Sequence, residues 1–391
     1  MRTFILILAT AFCSNLFAGE EKLNLILQAV ENNNLQLRSM RGQVEAEILA
    51  TKSQSNLPDP TISYTHKYAS DDAGEQESEL AVTQGFEFPT AYATRHKFNR
   101  SQTQVYETAY AITRRDVLLQ AKLHVLDLVG LNRQAALLNR LIVHADSIVL
   151  LCQRRLDAGD ATILELNRAK LDRMSLQTEL ADNASRHRQA LQTLTAMNAN
   201  LPLTDVCTEY PFTRSLPPYE VVCDEVLPAK RELLQAEAQV QAARREVAVE
   251  RSGWLPRLEV GYRRNTSPTR EFNGFVVGGS IPLFSNRSKV KSARARSLSA
   301  ELNQQSVALQ TEADLQSLYN EAMQVSEAMS VYDLPLLNDM FALLDKALHG
   351  GELPLSQYFE QMNNLIRRHQ AYLDLENRFQ KLVARLYADR L

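Results

Sequence analysis

The stretch RRLDAGDATILEL, residues 154–166, interrupts a long helix-forming sequence with a Gly-Asp pair, and helix-forming sequence resumes directly after it. A glycine that follows a helix commonly takes the left-handed conformation that ends the helix. A second stretch, KALHGGELPLSQY (346–358), repeats this arrangement, and its Gly351 lies 192 residues after Gly159. The two stretches therefore predict two helical hairpin tips in one chain.

Two further pairs of landmarks occur in the same order along the chain. SNLPDPTISY (55–64) and GWLPRLEVGY (253–262) share a Leu-Pro step and a final tyrosine, and Phe-Pro at 88–89 is matched by Ile-Pro at 281–282. Their offsets, 198 and 193 residues, are close to the offset between the tips. Matches that recur in one order at a nearly constant spacing indicate an internal duplication.

The duplication predicts a first repeat at 19–199, a proline-rich linker without a helix pattern at 200–226, and a second repeat at 227–391. Each repeat is expected to contain a helix, a β-hairpin, a very long helix, a tip and a returning helix. The predicted ranges are 20–54, 57–89, 91–152, 155–162 and 162–199 in the first repeat, and 227–252, 255–284, 287–349, 349–354 and 354–391 in the second.

The long helices carry apolar residues at steps of three and four, which is the spacing of a coiled coil. About 60 residues of helix extend roughly 90 Å, far longer than a globular domain needs. Thr162 and Pro354 are expected in the first turns of the returning helices, and Pro335 is expected to bend or break the second long helix. In the first long helix the apolar seam is Leu118, Ala121, Val125, Leu128, Leu131, Ala135, Leu138, Ile142, Ala145, Val149 and Cys152.

Apolar and polar residues alternate along the strand-like segments, which predicts a sheet with one apolar and one polar face. Four strands cannot close around a channel, so several chains would have to contribute, and three chains would supply twelve strands. The apolar face would then meet lipid and the polar face the lumen. The aromatic residues expected near the strand ends, as an interfacial girdle, are Tyr64, Tyr68, Phe86, Phe88, Tyr92, Tyr262, Phe272 and Phe284.

The N-terminal 18 residues have the pattern of a secretory signal peptide, with Arg2, a short apolar run and a cleavage site after Ala18. A short membrane anchor is the alternative, but spanning a bilayer needs about 20 apolar residues. Cys13 would carry lipid in a lipoprotein, although the residue before it, Phe12, is not small. The sequence therefore predicts export.

The other cysteines and the histidines give no ligand set. Cys207 and Cys223 bracket a loop and either form a disulfide or remain free, while Cys152 is expected as a buried apolar residue. No spacing of His or Cys is typical of a metal site, and no catalytic set can be assembled, so we expect no metal, no cofactor and no enzyme. A net charge of −3 disfavours nucleic-acid binding.

Three groups of residues carry a resemblance to a known family. The tip motif contains Arg155, Gly159, Leu164 and Ala169, the strands begin after Leu-Pro steps, and they end in QGFEFP and IPLF. These features resemble the TolC-like outer-membrane efflux proteins of Gram-negative bacteria, over nearly the whole mature chain. The modest length and short loops are most similar to the heavy-metal (cation) efflux branch.

The resemblance implies a mainly α fold with a small β part. Three identical chains would form a 12-stranded transmembrane β-barrel, continued by a long antiparallel α-helical coiled-coil barrel across the periplasm. The homotrimer would be the exit duct of a tripartite efflux system in the outer membrane. Its partners would be a periplasmic adaptor (membrane fusion) protein and an inner-membrane pump of the RND type.

The resemblance also implies two sets of functional residues. Family members keep acidic residues six and nine places after the second tip glycine, as a constriction, whereas this chain has Gln357 and Glu360 there. The candidate adaptor-docking residues are Gly159, Asp160, Ala161, Thr162, Gly351, Glu352, Leu353 and Pro354, and the candidate gate residues are Glu165, Arg168, Gln357 and Glu360.

Other functions stay open at this point. The alternative within the family is an outer-membrane duct for drugs or for a type I secretion substrate. A secreted coiled-coil structural or interaction protein would explain the long helices and the signal, but it leaves the duplicated amphipathic hairpins without a role. A periplasmic enzyme would need a convergent catalytic set, which the sequence does not offer.

Overall fold

The computed structural model describes residues 21–68, 76–203, 209–210 and 216–391. The predicted signal peptide, Cys13 and Cys207 lie outside the described residues, so the lipid and disulfide predictions are not addressed by it. Of the described cysteines, Cys152 is fully buried and Cys223 is half-buried.

The described chain is mainly helical with one four-stranded sheet, so the predicted fold class is confirmed. The first half contains α1 (21–33), α2 (Leu35–Ser53), β1 (Thr61–Lys67), β2 (Glu77–Phe86), α3 (Pro89–Asp157) and α4 (Ile163–Met197). The second contains α5 (Tyr219–Val226), α6 (Arg231–Ser252), β3 (Arg257–Thr266), β4 (Glu271–Ser280), α7 (Lys289–Ser330), α8 (Leu334–His349) and α9 (Leu355–Leu386).

The second long helix, predicted as one helix over 287–349, is two helices. α7 ends at Ser330, and α8 begins at Leu334 with Asp333 as its N-cap, whose side chain accepts a hydrogen bond from the Leu336 amide (3.1 Å). Pro335 lies in the first turn of α8, where its missing N–H costs nothing, whereas in a continuous helix its ring would clash with the preceding turn. The predicted range 287–349 is therefore not one continuous helix, and the break that Pro335 was expected to cause is present.

Two other predicted ranges are corrected. The helix expected over 20–54 is interrupted at Asn34, which is buried and whose side-chain oxygen accepts a hydrogen bond from the Leu37 amide (3.0 Å). The linker 200–226 ends in a helix, α5, because Val222 and Val226 are one turn apart and both are buried against α7 and α9 residues.

The four strands form one antiparallel sheet in the order β1-β2-β3-β4. Its register separates the faces as the alternation predicts. One row of the apolar face is Ile62, Val82, Tyr262 and Phe275, and one row of the polar face is Ser63, Ala81, Arg263 and Gly274.

Not every residue of the predicted aromatic girdle lies at a strand end on the apolar face. Tyr64 is in the middle of β1. Tyr262 is in the middle of β3, opposite Phe275, and Phe272 lies on the polar face opposite Asn265. Gly261 sits on the same polar face, where a Cβ would approach the Val82 carbonyl oxygen to 2.6 Å. Only glycine therefore fits this point of close strand approach.

The compact units of the chain are not its two repeats. One unit comprises the residues up to Arg38, Thr113–Ala229 and Glu312–Leu391, and the other comprises Ser39–Ile112 and Lys230–Thr311. Each unit therefore takes residues from both repeats.

The first unit is held together by clusters of buried apolar residues along α3. The predicted seam residues Leu118, Ala121, Val125 and Leu128 are at most 3% exposed and belong to one of these clusters. α3 also contains a window apolar and long enough to cross a membrane by composition alone, with a mean hydropathy of 1.6. Only 33% of this window is buried within the chain.

Candidate functional site

The first tip closes α3 with a left-handed glycine. Gly159 has φ +81°, and its amide donates to the Leu156 carbonyl (3.0 Å). The Asp160 amide donates to the Arg155 carbonyl (2.7 Å). This pair of hydrogen bonds is the Schellman arrangement, which satisfies carbonyls that the end of the helix would leave free.

The second tip closes α8 in the same way. Gly351 has φ +73°, and its amide donates to the Leu348 carbonyl (3.2 Å). The Glu352 amide donates to the Ala347 carbonyl (2.9 Å). Donors and acceptors at the second tip thus lie 192 residues after those of the first, so the two stretches fold alike.

The returning helices start differently. Thr162 is the N-cap of α4 and forms a capping box with Glu165: the Glu165 amide donates to the Thr162 hydroxyl (3.3 Å), and the Thr162 amide donates to the Glu165 carboxylate (2.7 Å). Pro354 is the N-cap of α9 and has no side-chain cap. Thr162 and Pro354 were expected inside the first turns of these helices, but each is the N-cap residue just before its helix.

Most of the predicted docking residues are on the surface. Asp160, Thr162, Glu352 and Pro354 are exposed together with both tip glycines, whereas Ala161 and Leu353 are half-buried. The predicted docking set did not include the neighbouring apolar residues Ile163 and Leu164, which are 56% and 76% exposed. Exposed apolar side chains beside a turn suit protein contact.

Within one chain, the predicted gate residues are not brought together as a charge network. Glu165 is engaged in the capping box, and the Thr162 backbone hydrogen bond lowers the pKa of its carboxyl group. Arg168 pairs with Asp172 (3.7 Å) and lies over the ring of Phe359 (5.8 Å).

The other two gate residues lie on the returning helix α9. Gln357 and Glu360 are exposed there, and Glu360 has no ion pair among the residues that the structure describes. Any Glu165–Arg168–Glu360 network would therefore have to form between chains.

A polar group at the edge of the apolar core near the tips was not predicted; we call it the inner cluster: His144, Asp345, His349 and Tyr358. The Tyr358 hydroxyl is hydrogen-bonded to His144 Nε2. Asp345 Oδ1 lies 3.8 Å from His144 Nδ1 and 3.4 Å from His349 Nδ1. Its members come from α3, α8 and α9, so a search for spacings within one segment could not find it.

The inner cluster does not form a metal site. His349 Nδ1 donates to the Asp345 backbone carbonyl (2.8 Å), and His144 Nε2 is occupied by Tyr358. Across the described ranges, no group of three His, Cys, Asp or Glu side chains is arranged to hold a metal ion.

A family model described as outer membrane efflux protein matches residues 222–388. The predicted resemblance to the outer-membrane efflux proteins is confirmed. The match runs from α5 through α9 and so covers the second sheet hairpin and the second tip. No curated protein sequence matches the chain.

Solved structures share the fold over nearly the whole chain. CusC is 14% identical with a TM-score of 0.78, and the alignment covers 94% of this chain and 92% of CusC. The Campylobacter jejuni CmeC outer membrane channel is 13% identical (TM-score 0.72; 94% and 85% covered), and the Neisseria gonorrhoeae MtrE outer membrane channel in its open state is 14% identical (0.70; 94% and 88%). At this identity the likeness shows the fold: that of the outer-membrane efflux proteins.

Proposed function

We propose that three copies of this chain form an outer-membrane exit duct in a Gram-negative bacterium, with the helices as a periplasmic tunnel. The duct would receive small solutes from a periplasmic adaptor and an inner-membrane pump. The chain itself would be a passive conduit and not an enzyme.

The apolar face of the sheet carries the proposal. Phe275 and Val277 are 91% and 81% exposed, and Ile62 and Tyr64 are 70% and 67% exposed. These side chains lie on one face of the sheet, and none of the residues that the structure describes covers them. β2, β3 and β4 each have 10 residues, the length of a tilted strand that crosses a bilayer. Lipid is the environment that suits such a face.

The edges of the sheet support assembly from several copies. β1 and β4 are the outermost strands of the sheet and each has only one neighbour within the described chain. Backbone groups at an open edge cannot remain unpaired in hydrocarbon, so a barrel must close by pairing β1 of one copy with β4 of the next. The number three rests on the family resemblance.

The tips support a partner at the other end of the long helices. Each tip exposes an acidic side chain, Asp160 or Glu352, and the first tip adds the apolar Leu164. We assign these tips to adaptor docking, by resemblance to the family.

The cargo is the least constrained part of the proposal. Short loops and modest length favour the heavy-metal cation branch, with an RND-type pump, and a duct for drugs or for a type I secretion substrate is the alternative. No ligand cluster in the described chain selects a metal, so the cargo would be chosen by the pump.

Two adjacent valines of β4 provide the decisive test. Val277 lies on the apolar face opposite Val260, and Val276 lies on the polar face opposite Gly261. Val277→Arg places a charge toward lipid, at a cost of about 2–4 kcal/mol near the bilayer midplane. It should therefore abolish heat-resistant trimers in outer-membrane extracts, whereas Val276→Arg should assemble normally.

The same pair also tests the secreted-protein alternative. Free solubility of the wild-type protein in the periplasmic fraction, with equal yields of Val276→Arg and Val277→Arg, would contradict the membrane duct and favour a coiled-coil scaffold.

A further inference from the structure

The inner cluster joins three helices at the edge of the apolar core, where the Asp345 and His349 side chains are 41% and 51% exposed. His144 belongs to α3, Asp345 and His349 belong to α8, and Tyr358 belongs to α9. Tyr358 is only 1% exposed, and Asp345 Oδ1 is buried without a hydrogen-bond donor among the described residues.

The hydrogen-bonding roles around His144 follow from its neighbours. A carboxylate only accepts, so His144 Nδ1 is best protonated where it faces Asp345 at 3.8 Å. Nε2 then accepts from the Tyr358 hydroxyl. The neutral imidazole thereby connects α3 to both α8 and α9.

We propose that His144 is a proton-sensitive latch, which holds the α8–α9 hairpin on α3 at neutral pH and releases it on acidification.

The direction of the switch follows from the environment of the imidazole. Burial lowers the pKa of His144, Asp345 opposes this shift, and His349 adds to it. A proton therefore binds His144 more weakly in the packed arrangement than in one where the ring meets water. Acid stabilises whichever arrangement has the higher pKa, and here that is the released one.

The other titratable groups near the ring do not reverse this balance. Burial raises the pKa of Tyr358, which keeps its hydroxyl neutral, and burial likewise raises the pKa of the Cys152 thiol. The charged groups that line the same cavity as His144 are Asp172 and Glu179 on α4 and Arg367 on α9. Asp172 is paired with Arg168, and Glu179 accepts a hydrogen bond from Gln370 (2.9 Å).

Release of the α8–α9 hairpin requires a space that water can enter and a flexible connection to α7, and the structure has both. A cavity of about 230 Å³ lies between α3, α4 and α9 and reaches His144 and Tyr358, so water can follow the proton. α8 is separated from α7 by the non-helical residues 331–333. The α8–α9 hairpin can therefore move while α7 keeps its place.

Hydrogen–deuterium exchange of the full-length, detergent-purified protein tests the latch. Exchange is compared at about pH 7.5 and about pH 5, with labelling times scaled for the intrinsic rate. Peptides of α8 and of the first turns of α9 should lose protection several-fold at the acidic pH. His144→Gln, which keeps a polar side chain but cannot titrate, should abolish this loss.

Two further variants keep the test decisive. His96→Gln replaces an exposed histidine of α3 and should behave as wild type. Asp345→Asn keeps His144 but removes the carboxylate that favours its charged form, so the loss of protection at about pH 5 should be larger than in the wild type. The latch would be overturned if protection in the wild type were the same at both pH values. It would also be overturned if His144→Gln lost as much protection at the acidic pH as the wild type.

The latch itself does not rest on the proposed function. Exchange reports the contact between helices directly, so protein that conducts no current still tests the latch. Conversely, a chain that assembles and conducts, but shows no acid-dependent exchange, would refute the latch and leave the duct intact.

Discussion

At the scale of single residues, the tip glycines are required by backbone geometry and not by lack of space. A Cβ on Gly159 would meet no atom within 4 Å, but φ is +81°. A left-handed conformation costs an L-residue about 1–2 kcal/mol. Gly159→Ala should therefore lower the thermal unfolding midpoint.

Gly42 is the matched control for this substitution, since it also has open space but lies inside α2 with ordinary helical geometry. Gly42→Ala should raise the midpoint, because alanine is favoured over glycine in a helix by about 1 kcal/mol. Equal shifts in the two variants would contradict the argument from φ.

The gate hypothesis can also be tested with single substitutions. If Arg168 pairs with Glu360 of another copy, removing either charge loosens the closed end, and the basal conductance of the trimer in a planar bilayer should rise several-fold. Arg168→Gln and Glu360→Gln are compared with Glu107→Gln, an exposed position on α3. Unchanged conductance and leak in both gate variants would remove the gate hypothesis.

At the scale of elements, the close approach of β2 and β3 predicts that alanine is tolerated at one glycine of the polar face and not at another. A Cβ on Gly261 would lie 2.6 Å from the Val82 carbonyl oxygen, whereas one on Gly274 would meet nothing within 4 Å. Gly261→Ala should force the strands apart and reduce the yield of folded protein in the membrane. Gly274→Ala should be tolerated, and similar yields of the two variants would argue against the strand register.

The elements also show what periodicity can and cannot predict. Alternation placed Ile62, Val82 and Phe275 on one face, because a strand has a fixed period of two. The joint at 331–333 was signalled by Pro335, but its place depends on the Asp333 cap, and the helical end of the linker depends on burial of Val222. Caps and tertiary burial are not visible in a periodic pattern.

At the scale of the whole molecule, docking at both tips predicts loss of transport without loss of assembly. Asp160→Trp and Glu352→Trp add bulk at exposed turns, so pump-dependent export should fall while heat-resistant trimers remain. Glu107→Trp is the control, on an exposed part of α3. Full export by the double tip variant would exclude docking there.

The site was predictable only where it is local in sequence. The tip residues around Gly159 and Gly351 could be named from a turn signal, since each turn is closed by its own backbone. The inner cluster could not, because His144 and Tyr358 are 214 residues apart. Such a contact exists only after α3 and α9 have packed.

The joint between α7 and α8 has a mechanical consequence. α3 is an unbroken helix of 69 residues, whereas its counterpart in the second repeat is divided into helices of 42 and 16 residues. Bending stiffness in a helix depends on its continuous ladder of hydrogen bonds, so the divided helix is the compliant one. We therefore expect α3 to be the stiffer of the two, and the divided helix to bend at residues 331–333 when force is applied at the second tip.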